Sequence, residues 1–162
     1  MTYHPVVSHI RRLLDSHHIW YEYFEHEPVR TSEEAASVRP EYALHQGAKA
    51  LILRLTSKQG EKSYVMLVFP ADKKFHNKKE KELIQTTSLT FASEEEVVRL
   101  TEGIELGGVP PFGNLFHLPV FADPSLFENT RIIFNAGDRR FSIAMNASDY
   151  KTLVHPTVVP LI

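Results

Sequence analysis

The chain has 162 residues, an ordinary apolar fraction and a formal net charge of −2 at pH 7, so we expect one domain over 1–162 that is not a general trap for polyanions. It has no cysteine, which excludes disulfides, thiolate metal sites and a cysteine nucleophile. Its apolar runs are too short to span a bilayer and its start lacks the apolar core of a signal peptide, so we expect a cytoplasmic protein with no membrane partner.

The first half of the chain predicts helices that cover a sheet. Apolar residues recur at helical spacing from Val6 to Leu14, and Thr31 precedes Glu34 by three residues as in a capping box. Two apolar runs separated by a glycine-containing turn are typical of a hairpin in the middle of a sheet. The predicted elements are helices over 5–18 and 32–38 and strands over 19–24, 50–55 and 64–69.

The second half predicts shorter elements joined by turns. Ser93 and Glu96 form a second capping box, and the stretch 135–138 is typical of a hairpin turn. The predicted elements are helices over 78–86, 93–100 and 148–154 and strands over 89–92, 118–122, 131–134, 141–145 and 157–161. About seven strands with irregularly spaced helices indicate an α+β fold with a mixed sheet, which is mostly antiparallel because hairpins dominate the pairing. Whether the sheet closes into a barrel stays open.

A loop over 105–115 combines three glycines with two prolines. Gly107 and Gly108 leave their N–H groups unshielded, and Pro110 and Pro111 stiffen the backbone beside Val109. Such a loop is either a tight surface connection or a set of backbone donors that a ligand oxygen can approach.

Four other features each have a structural and a functional interpretation. Lys49 precedes the apolar run 50–55 and is either a surface cation or one directed into a pocket. Thr31 is either a helix cap or a ligand contact, and His26 either borders a cleft or lies on the surface. The basic run of Lys73, Lys74, His76, Lys78, Lys79 and Lys81 is either a solvated helix face or a phosphate-binding patch.

Common catalytic motifs are absent from the sequence. It has no GxSxG, no P-loop and no GxGxxG, which disfavours serine hydrolases and nucleotide-dependent enzymes. Its nine histidines include no HExxH pattern, so the sequence predicts no metal site and no cofactor.

Taken together, these segments resemble the YbaK-type aminoacyl-tRNA deacylases, the stand-alone relatives of the editing insertion domain of bacterial prolyl-tRNA synthetase. The resemblance covers nearly the whole chain, and its most specific pieces are the GAK strand and the GxxxP loop. The other matching segments are YEYFEHEPVRTSEEAA, YVMLVFPAD, FASEEEVVRLT, LPVFAD and NAG.

The resemblance implies a barrel-like α+β fold whose pocket takes the aminoacylated terminal adenosine of a mischarged tRNA and hydrolyses the ester. Lys49 matches the main functional lysine of that family, and the amides of Gly107 and Gly108 are expected to polarise the carbonyl. Some relatives carry a histidine near Asn135, and asparagine cannot replace it as a base near neutral pH. The substrate-binding residues that we expect are His26, Thr31, Val109, Pro110, Pro111, Gly113, Asn135 and Gly137.

Two other classes of function stay open at this point. The chain could be a non-catalytic adaptor that binds a small ligand or tRNA, or a structural interaction domain. The expected partner is the acceptor end of aminoacyl-tRNA, with a synthetase as a second candidate. The sequence does not predict the edited amino acid, the tRNA or the oligomeric state.

Overall fold

The computed structural model describes residues 2–29, 31–39, 41–75 and 88–162. The helix predicted over 78–86 lies outside the described residues, as does the basic run beyond Lys74. The described helices are α1 (Pro5–Ser16), α2 (Ser32–Ser37), α3 (Glu94–Thr101) and α4 (Ala147–Val154). The described strands are β1 (Tyr21–Glu25), β2 (Ala48–Thr56), β3 (Lys62–Pro70), β4 (Ser88–Phe91), β5 (Val120–Ala122), β6 (Arg131–Asp138), β7 (Phe141–Asn146) and β8 (Thr157–Val158).

The strands form two sheets. One has the order β1-β7-β6 and is antiparallel, and the other has the order β4-β2-β3-β5-β8, in which β3, β5 and β8 pair in parallel. The α+β class with mixed, mostly antiparallel pairing is therefore confirmed. A bridge between Gly47 and Ile133 joins the two sheets, but within the described ranges they do not close into a barrel.

The helix starts follow the capping residues that the sequence indicates. Thr31 accepts a hydrogen bond from the amide of Glu34 (3.1 Å) at the start of α2. Ser93 and Glu96 form the predicted capping box of α3. Glu96 also accepts from Arg54 (3.1 Å) and from the hydroxyl of Tyr64, so the cap ties α3 to strands β2 and β3.

The predicted hairpin turn over 135–138 is wrong. Asn135 to Asp138 belong to β6, which carries a bulge in this stretch, and the chain turns at Arg139 and Arg140 instead. Ala136 and Gly137 are buried, and α1 packs against β6 there. The apolar contact with α1 thus keeps these small residues in the strand.

The largest group of buried apolar side chains lies between the helices and the two sheets. Ile10 and Leu14 of α1 are fully buried in it together with Ile132 of β6 and Met66 of β3. A second buried cluster, which includes Leu53 and Phe69, packs on the other face of β2 and β3. This packing positions the strand ends that line the site described next. None of the described helices is long and apolar enough to cross a membrane.

Candidate active site

A cavity of about 690 Å³ lies where the two sheets meet. Its wall contains seven alanines, whose single methyl groups leave room for a ligand. The alanines are Ala35, Ala36, Ala43, Ala48, Ala50, Ala71 and Ala92. The described charged side chains that line it are four cations and two acids, namely Arg39, Lys49, Lys73, Lys74, Glu33 and Asp72.

Lys49 lies near the beginning of β2, where it pairs with Phe69 of β3. The two neighbouring residues on this strand, Ala48 and Ala50, also line the cavity, and the Lys49 side chain is exposed. An exposed ammonium at this place can meet an anionic or electron-rich group of a bound molecule without a large desolvation cost.

Gly107 brings the glycine-proline loop to the cavity wall. Its φ of 92° lies in the left-handed region, which glycine adopts without a steric penalty. Its N–H has no acceptor among the hydrogen bonds of the described residues, and Val109 lines the cavity beside it. The Gly107 amide can therefore donate to a bound oxygen.

Gly108 does not offer the donor that the sequence led us to expect. Its amide donates to the carbonyl oxygen of Glu105 (2.9 Å) in a tight turn, and the residue is buried outside the cavity lining. This turn shapes the loop, whereas Gly107 and Val109 line the cavity and neither N–H has an acceptor among the hydrogen bonds of the described residues.

Asn135 connects the loop to a buried arginine. Its Nδ2 donates to the carbonyl oxygen of Gly107 (2.8 Å), and its Oδ1 accepts from Nη2 of Arg39 (2.6 Å). A rotated amide would place donors against the guanidinium and oxygen against the carbonyl, so these partners fix its orientation. Asn135 thus holds the cavity wall and the loop together.

Ser142 connects Arg39 to His26 behind this wall. Nε of Arg39 donates to Oγ of Ser142 (2.9 Å), and Oγ lies 2.7 Å from Nε2 of His26. Ser142 is fully buried and so cannot attack a ligand, although it lies beside a histidine. His26 does not line the cavity and is linked to it by hydrogen bonds through Ser142 and Arg39.

The other predicted site residues are divided between the cavity and the core. Thr31 lines the cavity as the cap of α2. Pro110 and Pro111 are buried outside the lining, and the carbonyl oxygen of Pro111 accepts from Tyr150 (2.6 Å). Gly113 packs near Val120 and Leu118, and Gly137 packs against Val6 of α1. These four residues stabilise the fold around the cavity and do not line it.

Arg39 is a charged residue of the cavity wall that sequence reasoning missed. It follows the short helix α2 and precedes a proline, a position where an arginine is ordinarily on the surface. Only the fold shows that it is 5% exposed. The exposed aromatic ring of Phe91, at the end of β4, also lines the cavity and was not predicted.

Comparison with known proteins shows that the chain is similar to aminoacyl-tRNA editing proteins. The profile of the aminoacyl-tRNA editing domain matches residues 26–153. The chain is 34% identical over 135 residues to the multifunctional Ser/Thr-tRNA deacylase ProXp-y of Escherichia coli (strain K12). The aligned region covers 83% of this chain and 79% of that protein.

Two solved structures share the fold. One is described as a candidate trans-editing enzyme for prolyl-tRNA synthetase, with a TM-score of 0.80, 22% identity and coverage of 99% of this chain and 98% of that chain. The other is a scaffold protein used for epitope backbone grafting, with a TM-score of 0.81, 22% identity and 97% coverage of both chains. At this level of identity, the two structures support the fold alone.

Proposed function

Because the chain belongs to the aminoacyl-tRNA editing domain family, we propose that the cavity between Lys49 and Gly107 is where it hydrolyses the ester of a mischarged tRNA. The observation that carries this proposal is that both residues line one cavity although 58 positions separate them in the chain. The family membership favours an aminoacyl-tRNA deacylase over an adaptor or a structural interaction domain.

The proposed reaction is attack of water on the ester carbonyl. A tetrahedral oxyanion forms, the bond between the carbonyl carbon and the ribose oxygen breaks, and a proton passes to that oxygen, so that free amino acid and uncharged tRNA leave. The ammonium of Lys49 and the amide of Gly107 stabilise the oxyanion or the adjacent phosphate, and the neighbouring ribose hydroxyl assists the water. An ester is already activated, so positioning and oriented donors suffice without a protein nucleophile.

The substrate that we propose is the acceptor end of tRNA mischarged with a small amino acid. The Escherichia coli relative is named for deacylation of seryl- and threonyl-tRNA, and the alanine-rich wall leaves space for side chains of this size. A synthetase that hands over the tRNA is a candidate partner, and the cytoplasm, where tRNA is charged, is the proposed compartment.

The test is to replace Lys49 with alanine. We expect Lys49→Ala to lower the rate of amino acid release from mischarged tRNA by about 100-fold or more, because one stabilising group at an oxyanion contributes roughly that much. The measurement is deacylation over a panel of seryl-, threonyl-, alanyl- and cysteinyl-tRNA, with thermal unfolding of each protein.

Lys62→Ala is the matched control, because Lys62 is an exposed lysine at the other end of the β2-β3 hairpin. It should deacylate as fast as the parent. A folded Lys49→Ala protein with the parent rate would remove Lys49 from the mechanism.

A further inference from the structure

Arg39 is a buried cation without a countercharge among the described residues. It lines the cavity and is 5% exposed, and no described aspartate or glutamate forms an ion pair with it. A buried charge that lacks an opposite charge is costly, so proteins retain one where other groups compensate it.

The described residues of the protein accept hydrogen bonds from only some of the N–H groups of this guanidinium. An arginine has five N–H donors, and Arg39 uses Nε for Ser142 and Nη2 for Asn135. Three N–H groups have no acceptor among the described side chains and backbone carbonyls. Asn135 and Ser142 also fix the plane of the guanidinium, so these donors have a defined direction beside the cavity.

The charge state of Arg39 agrees with this geometry. Burial lowers its pKa to about 10, and no neighbouring charge offsets that effect. The guanidinium is therefore protonated near neutral pH and carries its full charge into the wall of the cavity.

We propose that Arg39 is the specificity-determining residue of this deacylase and binds a side-chain oxygen of the aminoacyl group, either a hydroxyl or a carboxylate. This inference rests on the proposed function of the cavity. An aminoacyl group with such an oxygen completes the hydrogen bonding of the guanidinium, whereas an apolar group of equal size leaves it unpaired. Sites that hydrogen-bond a substrate hydroxyl discriminate strongly against analogues that lack it.

The phosphates of the acceptor end suit other residues of the cavity better. Lys49, Lys73 and Lys74 line it as exposed or half-exposed cations, which a bulky solvated phosphate can reach. Arg39 is shielded from solvent, so a small group that enters the cavity is its fitting partner.

The test compares isosteric aminoacyl groups on one tRNA. The wild-type protein is given the same tRNA acylated with threonine, valine, aspartate or asparagine, and kcat/KM is measured for each. We expect threonyl-tRNA to be hydrolysed at least about 100-fold faster than valyl-tRNA, since the two differ by a hydroxyl in place of a methyl. A similar advantage of aspartyl- over asparaginyl-tRNA would identify a carboxylate as the preferred oxygen.

Variants of Arg39 then test whether this residue causes the preference for threonyl- over valyl-tRNA. Arg39→Met should reduce the threonyl-to-valyl ratio to within a few-fold of one by slowing only the threonyl reaction, and Arg39→Lys should restore part of the ratio. Arg12→Met is the matched control, because Arg12 is an exposed arginine of α1, and it should keep the wild-type ratio.

Two results would overturn the proposal. One is a wild-type protein that hydrolyses threonyl- and valyl-tRNA at similar rates and also shows no preference for aspartyl- over asparaginyl-tRNA, and this result stands even if Arg39→Met does not fold. The other is an Arg39→Met protein that loses the same factor on both esters, as expected of a merely structural or phosphate-binding residue. A wild-type protein that hydrolyses no mischarged tRNA would instead refute the proposed function, and the role of Arg39 with it.

Discussion

Two cations of the cavity differ in the property that determines their roles. Lys49 is exposed on β2, whereas Arg39 is buried behind α2 and held by Asn135 and Ser142. A solvated ammonium can follow a ligand that arrives with its own water, while a fixed guanidinium selects by geometry. The same formal charge therefore serves catalysis at one position and selection at the other in our proposal.

His26 shows how a residue outside the cavity is linked to it. Its Nδ1 lies 2.8 Å from the carbonyl oxygen of Glu27, which can only accept, so Nδ1 carries the proton. Nε2 lies 2.7 Å from Oγ of Ser142, which accepts from Nε of Arg39 (2.9 Å) and donates to Oδ1 of Asn135 (3.2 Å). The nearby positive charge of Arg39 disfavours a second positive charge on His26.

We predict that His26 titrates below 6.5. Burial lowers its pKa most, the hydrogen bond to Glu27 raises it, the charge of Arg39 lowers it and that of Asp138 raises it, with a net lowering from 6.5. The measurement is an NMR titration of the imidazole nitrogens, which also reports the tautomer. A midpoint at or above 6.5 would contradict the prediction.

The same shift makes folding stability depend on pH. As the pH falls below 6.5, His26 becomes protonated in the unfolded chain while it is still neutral in the folded protein. The free energy of unfolding therefore decreases until the pH falls below the pKa of folded His26. Above 6.5 both states are neutral and the effect vanishes. His26→Gln should lose less stability than the parent over this window, with the exposed His9 changed to glutamine as the control.

At the scale of elements, the contact between α1 and β6 determines the shape of the cavity wall. Gly137 lies in β6 with a φ of 115°, and a Cβ there would come within 2.1 Å of Cγ1 of Val6. The close approach of the helix keeps the bulged strand in place. Asn135, two residues earlier, is thereby directed toward Arg39 and Gly107.

We predict that Gly137→Ala destabilises the protein by several kcal/mol or prevents folding, because backbone strain and a steric clash add. Gly60→Ala is the control, since Gly60 also has a positive φ of 83° but open space around its Cα. It should cost only about 1–2 kcal/mol. Urea denaturation of both proteins provides the comparison.

A rescue experiment separates the backbone strain of Gly137→Ala from its steric clash with Val6. Adding Val6→Ala to Gly137→Ala removes the methyl group that clashes and should recover part of the lost stability. Equal stabilities for Gly137→Ala and Gly60→Ala would show that the helix contact does not limit this position.

At the scale of the whole molecule, the net charge of the chain is negative, whereas the charged residues that line the cavity are mostly positive. The chain carries −2 overall, yet Lys49, Lys73 and Lys74 line the cavity together. Under the proposed function, the molecule as a whole repels tRNA weakly, while these lysines and Arg39, which outnumber the lining acids Glu33 and Asp72, attract its phosphates. This distribution favours weak, salt-sensitive binding that is confined to the acceptor end.

We predict that the KM for mischarged tRNA rises with KCl, and that Lys73→Ala combined with Lys74→Ala lessens this dependence. The logarithmic slope should fall by about 0.7 for each lysine that contacts a phosphate of a single strand. Lys58→Ala combined with Lys62→Ala, at the other end of the hairpin, should keep the parent slope. Tight binding that does not respond to salt would refute this prediction.

The sequence alone indicated most of the secondary structure and two of the segments that line the cavity. Apolar periodicity and capping residues such as Thr31 and Ser93 act over a few positions in the chain. The helices and strands that they specify can therefore be predicted from the sequence alone. Lys49 and Gly107 were predicted as site residues because the GAK strand and the GxxxP loop resemble a known family.

Only the tertiary structure decided which of these groups line the cavity. The amide of Gly108 is used in a turn, Gly137 packs under α1, and the pocket wall includes a buried Arg39 that the sequence presents as an ordinary surface residue. The physical reason is that burial and hydrogen-bond partners depend on segments distant in the chain, and local pattern carries no information about them.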